Sequence, residues 1–185
     1  MQTHDDHHIM QQVKDGQTEK LGLLFERYHK DLYNLFLWQT QNPTLSEDLV
    51  QDVFFRILKY RRSYRGEGQF KTWMFSIAHS ARADHFRKKK HPTTSLDNGF
   101  IVADDAPAPD KVSEQNEEAR LLRQAMAGLS ENKRTMLYMS RFQNMKYEEI
   151  AKAMHCQIGT VKATIHWAMK ELAAGYIKLT KEDVP

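Results

Sequence analysis

Apolar side chains recur every three or four positions along most of this chain, the spacing that gathers them on one face of an α-helix. Leu21, Leu24, Phe25, Tyr28, Leu32, Leu35 and Phe36 keep that period and predict a helix over about 18–40 that ends before Pro43. Leu49, Val50, Val53, Phe54, Ile57 and Leu58 predict a second helix to about Tyr60. Ser46 is its expected N-cap, with Glu47 and Asp48 in the first turn, where the helix dipole favours negative charge. Gly66 and Gly68 interrupt the period and place 61–69 in a loop. A third helix follows, with Phe70, Trp73, Met74, Ile77, Ala78 and Ala81 on its inner face, and runs into Arg87-Lys88-Lys89-Lys90 near Pro92. A short helix around 9–14 precedes these three.

Over 92–113 the period is lost among Pro92, Pro107, Pro109, small residues and acids, the composition of a tether. It resumes with Leu121, Leu122, Ala125, Met126 and Leu129; Gly128 lies near that helix's end and Ser130-Glu131 opens another. Tyr147 to Glu171 then has the pattern of a helix-turn-helix. Ile150, Ala151 and Met154 face inward from a short helix, His155-Cys156-Gln157 make the turn, and Ile158, Val161 and Ile165 face inward from a second helix. His155 stands where such turns often carry glycine, so it needs either a left-handed backbone or a slightly different turn. The fold expected is all-α: a helical domain over 1–91, a flexible acidic linker over 92–116 and a helix-turn-helix domain over 117–185.

Composition narrows the classes. One cysteine excludes a disulfide framework, no apolar run approaches the roughly 20 residues of a bilayer span, and the polar start lacks a signal-peptide core. No membrane insertion and a cytoplasmic location are expected. Net charge is only +3, but it is segregated: −5 over 1–55, +9 over 56–90, −5 over 96–120 and +4 over 121–185. A basic block beside aromatics suits nucleic acid, whereas acidic stretches suit a tether and a basic protein partner. In the second helix of the helix-turn-helix, Thr160, Lys162, Ala163, Thr164, His166 and Lys170 face outward, where the motif meets a major groove.

Taken together, several segments resemble the extracytoplasmic-function (ECF) group of bacterial RNA polymerase sigma factors. In the first half these are Leu24-Phe25-Glu26-Arg27-Tyr28, Ser46-Glu47-Asp48-Leu49-Val50-Gln51-Asp52-Val53-Phe54, and Phe70-Lys71-Thr72-Trp73 leading to Ile77-Ala78. In the second they are Leu129-Ser130-Glu131, Tyr147-Glu148-Glu149-Ile150-Ala151 and Gly159-Thr160-Val161-Lys162. The resemblance implies that the first domain opens the promoter and holds the single-stranded minus-ten element, and that the second docks on the minus-thirty-five duplex. Both then bind the RNA polymerase core, which supplies the active site, and an anti-sigma factor is a further implied partner.

On that basis the strand-binding candidates are Tyr64, Arg65, Gln69, Lys71, Thr72, Trp73, Ser76, His79, Ser80 and Arg87, with Trp73 equally suited to a core anchor. Asp48, Gln51 and Asp52 share one helix face and are the implied contacts to the coiled coil of the polymerase's largest subunit. Two departures stand out. His79-Ser80 replaces a common Arg-Asn pair, and Ala163-Thr164 with Trp167-Ala168-Met169 replaces more cationic residues of the recognition helix. Fewer cations weaken phosphate anchoring there.

Two other classes compete. A helix-turn-helix regulator that never meets polymerase would use the same C-terminal motif. An enzyme would need a site, and His4, Asp5, Asp6, His7 and His8 are metal-ligand types, but they lie in a terminal segment. No phosphate-cradling glycine loop or nucleophile elbow is present, and Cys156 beside His155 reads as a turn pair. No catalysis, metal or cofactor is expected.

Overall fold

A computed structural model describes residues 3–90 and 114–182. Every regular element among them is helical. The first half contains α1 (Thr3–Lys14), α2 (Leu21–Thr40), α3 (Pro43–Tyr60) and α4 (Phe70–Lys90), with short 3-10 turns at Thr18–Lys20 and Arg61–Ser63. The second contains α5 (Glu114–Ala127), α6 (Glu131–Arg141), α7 (Tyr147–Ala153) and α8 (Ile158–Glu182). Most of the tether read over 92–116 lies outside the described residues, with α5 opening at Glu114.

α2 and α3 form an antiparallel hairpin closed by two residues. Gln41 takes a left-handed backbone (φ 53°) and Asn42 caps α3, its Oδ1 accepting from the Leu45 amide at 2.9 Å. Pro43 then occupies the first turn, where its missing N–H costs nothing. Ser46 is therefore not the cap. It is buried one turn inside the helix, donating to the Asn42 carbonyl at 2.7 Å and lying 3.1 Å from the Thr40 hydroxyl. The N-terminal helix begins well before residue 9, because its anchoring residues include Asp6 as well as Ile9, Met10 and Val13, all buried.

Phe36, Leu32, Leu35, Val53, Ile57, Phe70, Met74 and Phe75 fill the first half's core. Phe75 is fully buried although it breaks the expected period of α4, because α4 is packed on more than one side, by α3, α1 and α7. In the second half Ile150, Ala151, Met154, Val161 and Ile165 are buried as expected, but Ile158 is 39% exposed because it opens α8 outside the angle between the helices. His155 has φ 51°, so the turn keeps its left-handed form, the first of the two alternatives.

The two halves share one continuous apolar core, with α6 packed on α2 and α7 on α4. The junction is also polar. Gln39 donates to the Thr135 hydroxyl at 2.7 Å, Tyr138 donates to the Asp31 carbonyl at 3.0 Å, and Arg82 on α4 pairs with Glu131 on α6. Burial, with Asp31 adding to it, pushes the Tyr138 hydroxyl up to about 12 despite an opposing hydrogen bond from Gln143.

Candidate nucleic-acid interface

The 61–69 segment presents cations at the surface because α3 ends in a 3-10 turn and two glycines with positive φ, Gly66 (+73°) and Gly68 (+103°), carry the chain round to α4. Arg62, Arg65 and Gln69 are exposed there. Tyr64 points the other way. It is 2% exposed, its ring 5.0 Å from Trp73 and 6.2 Å from Phe70, so it underpins the loop and cannot itself stack on a base. Thr72 is likewise buried and offers no side chain to a strand. Both are corrections to the candidate set. The cause is the same: apolar packing of the α4 start against the loop.

Trp73 is half-buried in that aromatic cluster, leaving one part of the ring at the surface. Ser76 and Ser80 are half-buried and turn their hydroxyls onto their own helix, at 2.7 Å from the Trp73 carbonyl and 3.0 Å from the Ser76 carbonyl. Lys71 and His79 face the second half. Lys71 Nζ donates to the Gln143 carbonyl at 2.9 Å, and the His79 ring lies 6.5 Å from that of His155. Burial lowers the pKa of both, and for His79 the neighbouring His155 and Arg82 add to the effect while Glu131 opposes it. Arg87 is exposed and pairs with Asp84 at 2.9 Å.

On α8, Thr160, Lys162, Ala163, His166 and Lys170 are exposed and Thr164 is half-buried, forming an outward face that begins at the helix N-terminus. Trp167 joins this surface at 55% exposure, with Lys170 Nζ 5.1 Å from its ring centre. An exposed tryptophan between two basic positions is legible in the sequence as a departure, though not as part of the surface. Cys156 is half-buried, and burial pushes its thiol up, which disfavours the thiolate a nucleophile needs.

The polymerase-facing candidates separate on α3. Asp48 and Gln51 are exposed, but Gln51 borders a groove between α2 and α3 with Phe25, His29 and Val50, whereas Asp48 and Asp52 border another with Arg56 and His85. Asp52 is engaged within the molecule: Arg56 Nε donates to it at 3.0 Å and Arg56 Nη1 to Asp84 at 2.7 Å. That pairing holds the Asp84 carboxyl below its usual range. No group of three or more metal-ligand side chains that could hold an ion occurs among the described residues. Nor is any described helix long and apolar enough to cross a membrane.

Residues 24–91 match the family Sigma-70 region 2, and residues 119–172 match Sigma-70, region 4. With both regions present in order, the chain belongs to the sigma-70 family of RNA polymerase sigma factors, in its ECF group. It is 29% identical to the ECF RNA polymerase sigma factor SigX of Bacillus subtilis over 90% of this chain and 88% of that protein. It is 25% identical to the RNA polymerase sigma-H factor of Pseudomonas aeruginosa over 96% of each. Among solved structures, the fold is similar to CnrH in a complex with the cytosolic domain of CnrY, with a TM-score of 0.68 at 20% identity over 96% of this chain and 98% of that one. It is similar also to the sigma factor RpoE bound to the anti-sigma factor NepR from Bartonella quintana, with a TM-score of 0.62 at 19% identity over 83% and 94%.

Proposed function

We propose that the chain binds the RNA polymerase core, holds the unwound minus-ten strand with the 61–69 loop and the start of α4, and sets α8 in the major groove of the minus-thirty-five element. The observation that carries this reading is the pairing of two surfaces in one chain. An exposed Arg62–Arg65–Gln69 loop stands over an aromatic cluster, suited to an unpaired strand. A helix-turn-helix presents Thr160, Lys162 and His166 outward, suited to a duplex. A regulator independent of polymerase needs only the second surface and leaves the first, and the whole region 2 match, without use.

Arg65, Gln69, Trp73 and Arg87 are the strand contacts, joined by Lys71 and His79 once the second half moves away from α4. Ser76 and Ser80 line the same helix. Asp48 and Gln51 are the main polymerase contacts, with Asp52 behind them. The first domain spans 1–91, the tether 92–116 and the second domain 117–185. The factor itself performs no catalysis, acts in the cytoplasm with the polymerase, and is held in check by a protein of the anti-sigma class. The support for that last partner is the NepR complex of the structural neighbour.

Run-off transcription by purified core polymerase on a promoter library tests the reading. Initiation from a defined subset of promoters, dependent on this chain, is the expected result. DNA binding without initiation would assign the chain to the regulator class instead.

A further inference from the structure

Nothing in the functional reading uses α1, which precedes the residues matched to region 2. Yet α1 meets the loop read as strand-binding through two hydrogen-bonding contacts and one close approach. Lys14 Nζ donates to the main-chain oxygen of Tyr64 at 2.8 Å. His7 Nδ1 lies 3.2 Å from the Tyr64 hydroxyl, within hydrogen-bond reach. At Gly66 a Cβ would stand 2.2 Å from His7 Cε1, so the loop backbone passes directly against the imidazole. Gly68, two residues on, has nothing within 4 Å of the same position.

The helix that carries these groups is itself fixed. Asp6 is 3% exposed and its carboxylate accepts from Arg27 Nη1 at 2.5 Å and from the Tyr28 hydroxyl, both on α2. Ile9, Met10 and Val13 are buried beside it. The cluster of metal-ligand residue types near the N-terminus thus has two of its members in other work: Asp6 anchors the helix and His7 touches the loop.

We propose that α1 is a positioning element for base selection, with His7 and Lys14 holding Tyr64 and Gly66 so that Arg65 and Gln69 are already oriented for an unpaired promoter base. This rests on the reading of 61–69 as the strand-binding loop. A loop ordered in advance does not lose its conformational freedom on binding, and a correctly placed polar group discriminates between bases better than a mobile one. His7 and Lys14 act through Tyr64 and Gly66 and are positioning residues. His7 is exposed, so its removal leaves the hydrophobic core intact.

The test uses the full chain with core polymerase and measures open-complex formation on promoters carrying single-base changes in the minus-ten element. His7→Ala and Lys14→Met should each reduce discrimination at one minus-ten position by roughly five-fold, the worth of one ordinary hydrogen bond. Affinity for core should stay at the parental level, and Lys14→Arg should restore most of the discrimination. Arg65→Ala and Gln69→Ala, run in parallel, report on the loop itself. If these two leave base preference unchanged, the loop reading fails. If they alter it while His7→Ala and Lys14→Met do not, the role given to α1 is wrong. A loss that is equal on all promoters and matched by a lower unfolding temperature would make α1 a structural brace alone, and would also overturn the proposal.

Discussion

Lys71 and Gln143 are joined across the junction of the two halves, the lysine ammonium donating to the main-chain oxygen at 2.9 Å. Lys71 sits in the first turn of α4, among the residues that meet the minus-ten strand in the proposed function. Held on the Gln143 carbonyl and half-buried in the junction, it is withdrawn from a strand's phosphates while the junction is closed. Strand binding by α4 and closure of the junction therefore compete for the same group, and loosening the junction should favour the strand.

Tyr138→Phe is the mildest way to loosen it. The substitution keeps the buried ring and removes the bond donated to the Asp31 carbonyl at 3.0 Å, and it leaves Gln143 without the acceptor it reaches at 3.3 Å. One such bond contributes about 1 kcal/mol. Binding of a single-stranded minus-ten oligonucleotide by the free chain should rise about five-fold, read by fluorescence anisotropy. Unchanged binding would show that the closed junction does not restrain α4.

Acid should loosen the same junction. Burial, the neighbouring His155 and Arg82 all disfavour the His79 cation, and Glu131 only partly offsets them. In the opened chain His79 returns toward the ordinary imidazole value of about 6.5 and binds a proton more readily than in the closed one. Closure is therefore fully favoured above that value and weakens as pH falls through it toward the lower pKa of the closed state. Small-angle scattering from about pH 8 to about pH 5.5, a range that brackets this value, should show expansion on acidification, and His79→Gln should flatten the change. A parent chain whose dimensions ignore pH over that range would sink the idea.

Much of the fold is legible in the sequence because helical periodicity survives wherever one face is buried and the other wet. The C-terminal ends of α2 and α3, the inner faces of both and most of the helix-turn-helix follow from it. What it cannot show is what happens where a helix is packed on more than one side. Phe75 lies off the stripe and is fully buried, and Tyr64 and Thr72, polar enough to suggest DNA contacts, are covered by the loop and by α4 packing. Ser46 misleads for a related reason. Asn42-Pro43 is an equally good N-cap and first-turn pair, and only the tight hairpin decides between the two starts. The junction is illegible altogether, because pairs such as Gln39–Thr135 and Arg82–Glu131 are remote in sequence and carry no local pattern.

The acidic positions on α3 should respond unequally to charge reversal. Asp48 is exposed on the outer side of the helix, so a change there leaves the core packing alone. Asp48→Lys should weaken core binding while leaving the unfolding temperature near that of the parent. Asp52→Lys sets a cation beside Arg56, which now bridges Asp52 and Asp84, and should also cost on the order of 1 kcal/mol of stability. Core pull-down with calorimetry of both variants separates the two effects. Equal core binding by parent and Asp48→Lys would remove that residue from the docking face.

Lys162 tests the other DNA surface. It is exposed one turn into α8, close to Thr160 and beside the buried Val161, where a recognition helix approaches either a base edge or a phosphate. The two outcomes have different signatures. If Lys162 meets a phosphate, Lys162→Ala lowers affinity for all promoters alike and reduces the salt slope by about one ion. If it meets a base edge, the same variant costs about 1–3 kcal/mol at one upstream position and leaves the slope nearly as it was. The 121–185 segment carries only +4 against +9 for 56–90, so each remaining cation on α8 bears a larger share of the upstream anchoring. A clear loss of affinity is therefore expected when the holoenzyme is titrated against duplexes across a range of salt. The uniform, slope-changing form is the one expected for a side chain as long and mobile as lysine. Titrations that superimpose with those of the parent, in both salt slope and base preference, would take Lys162 out of the interface.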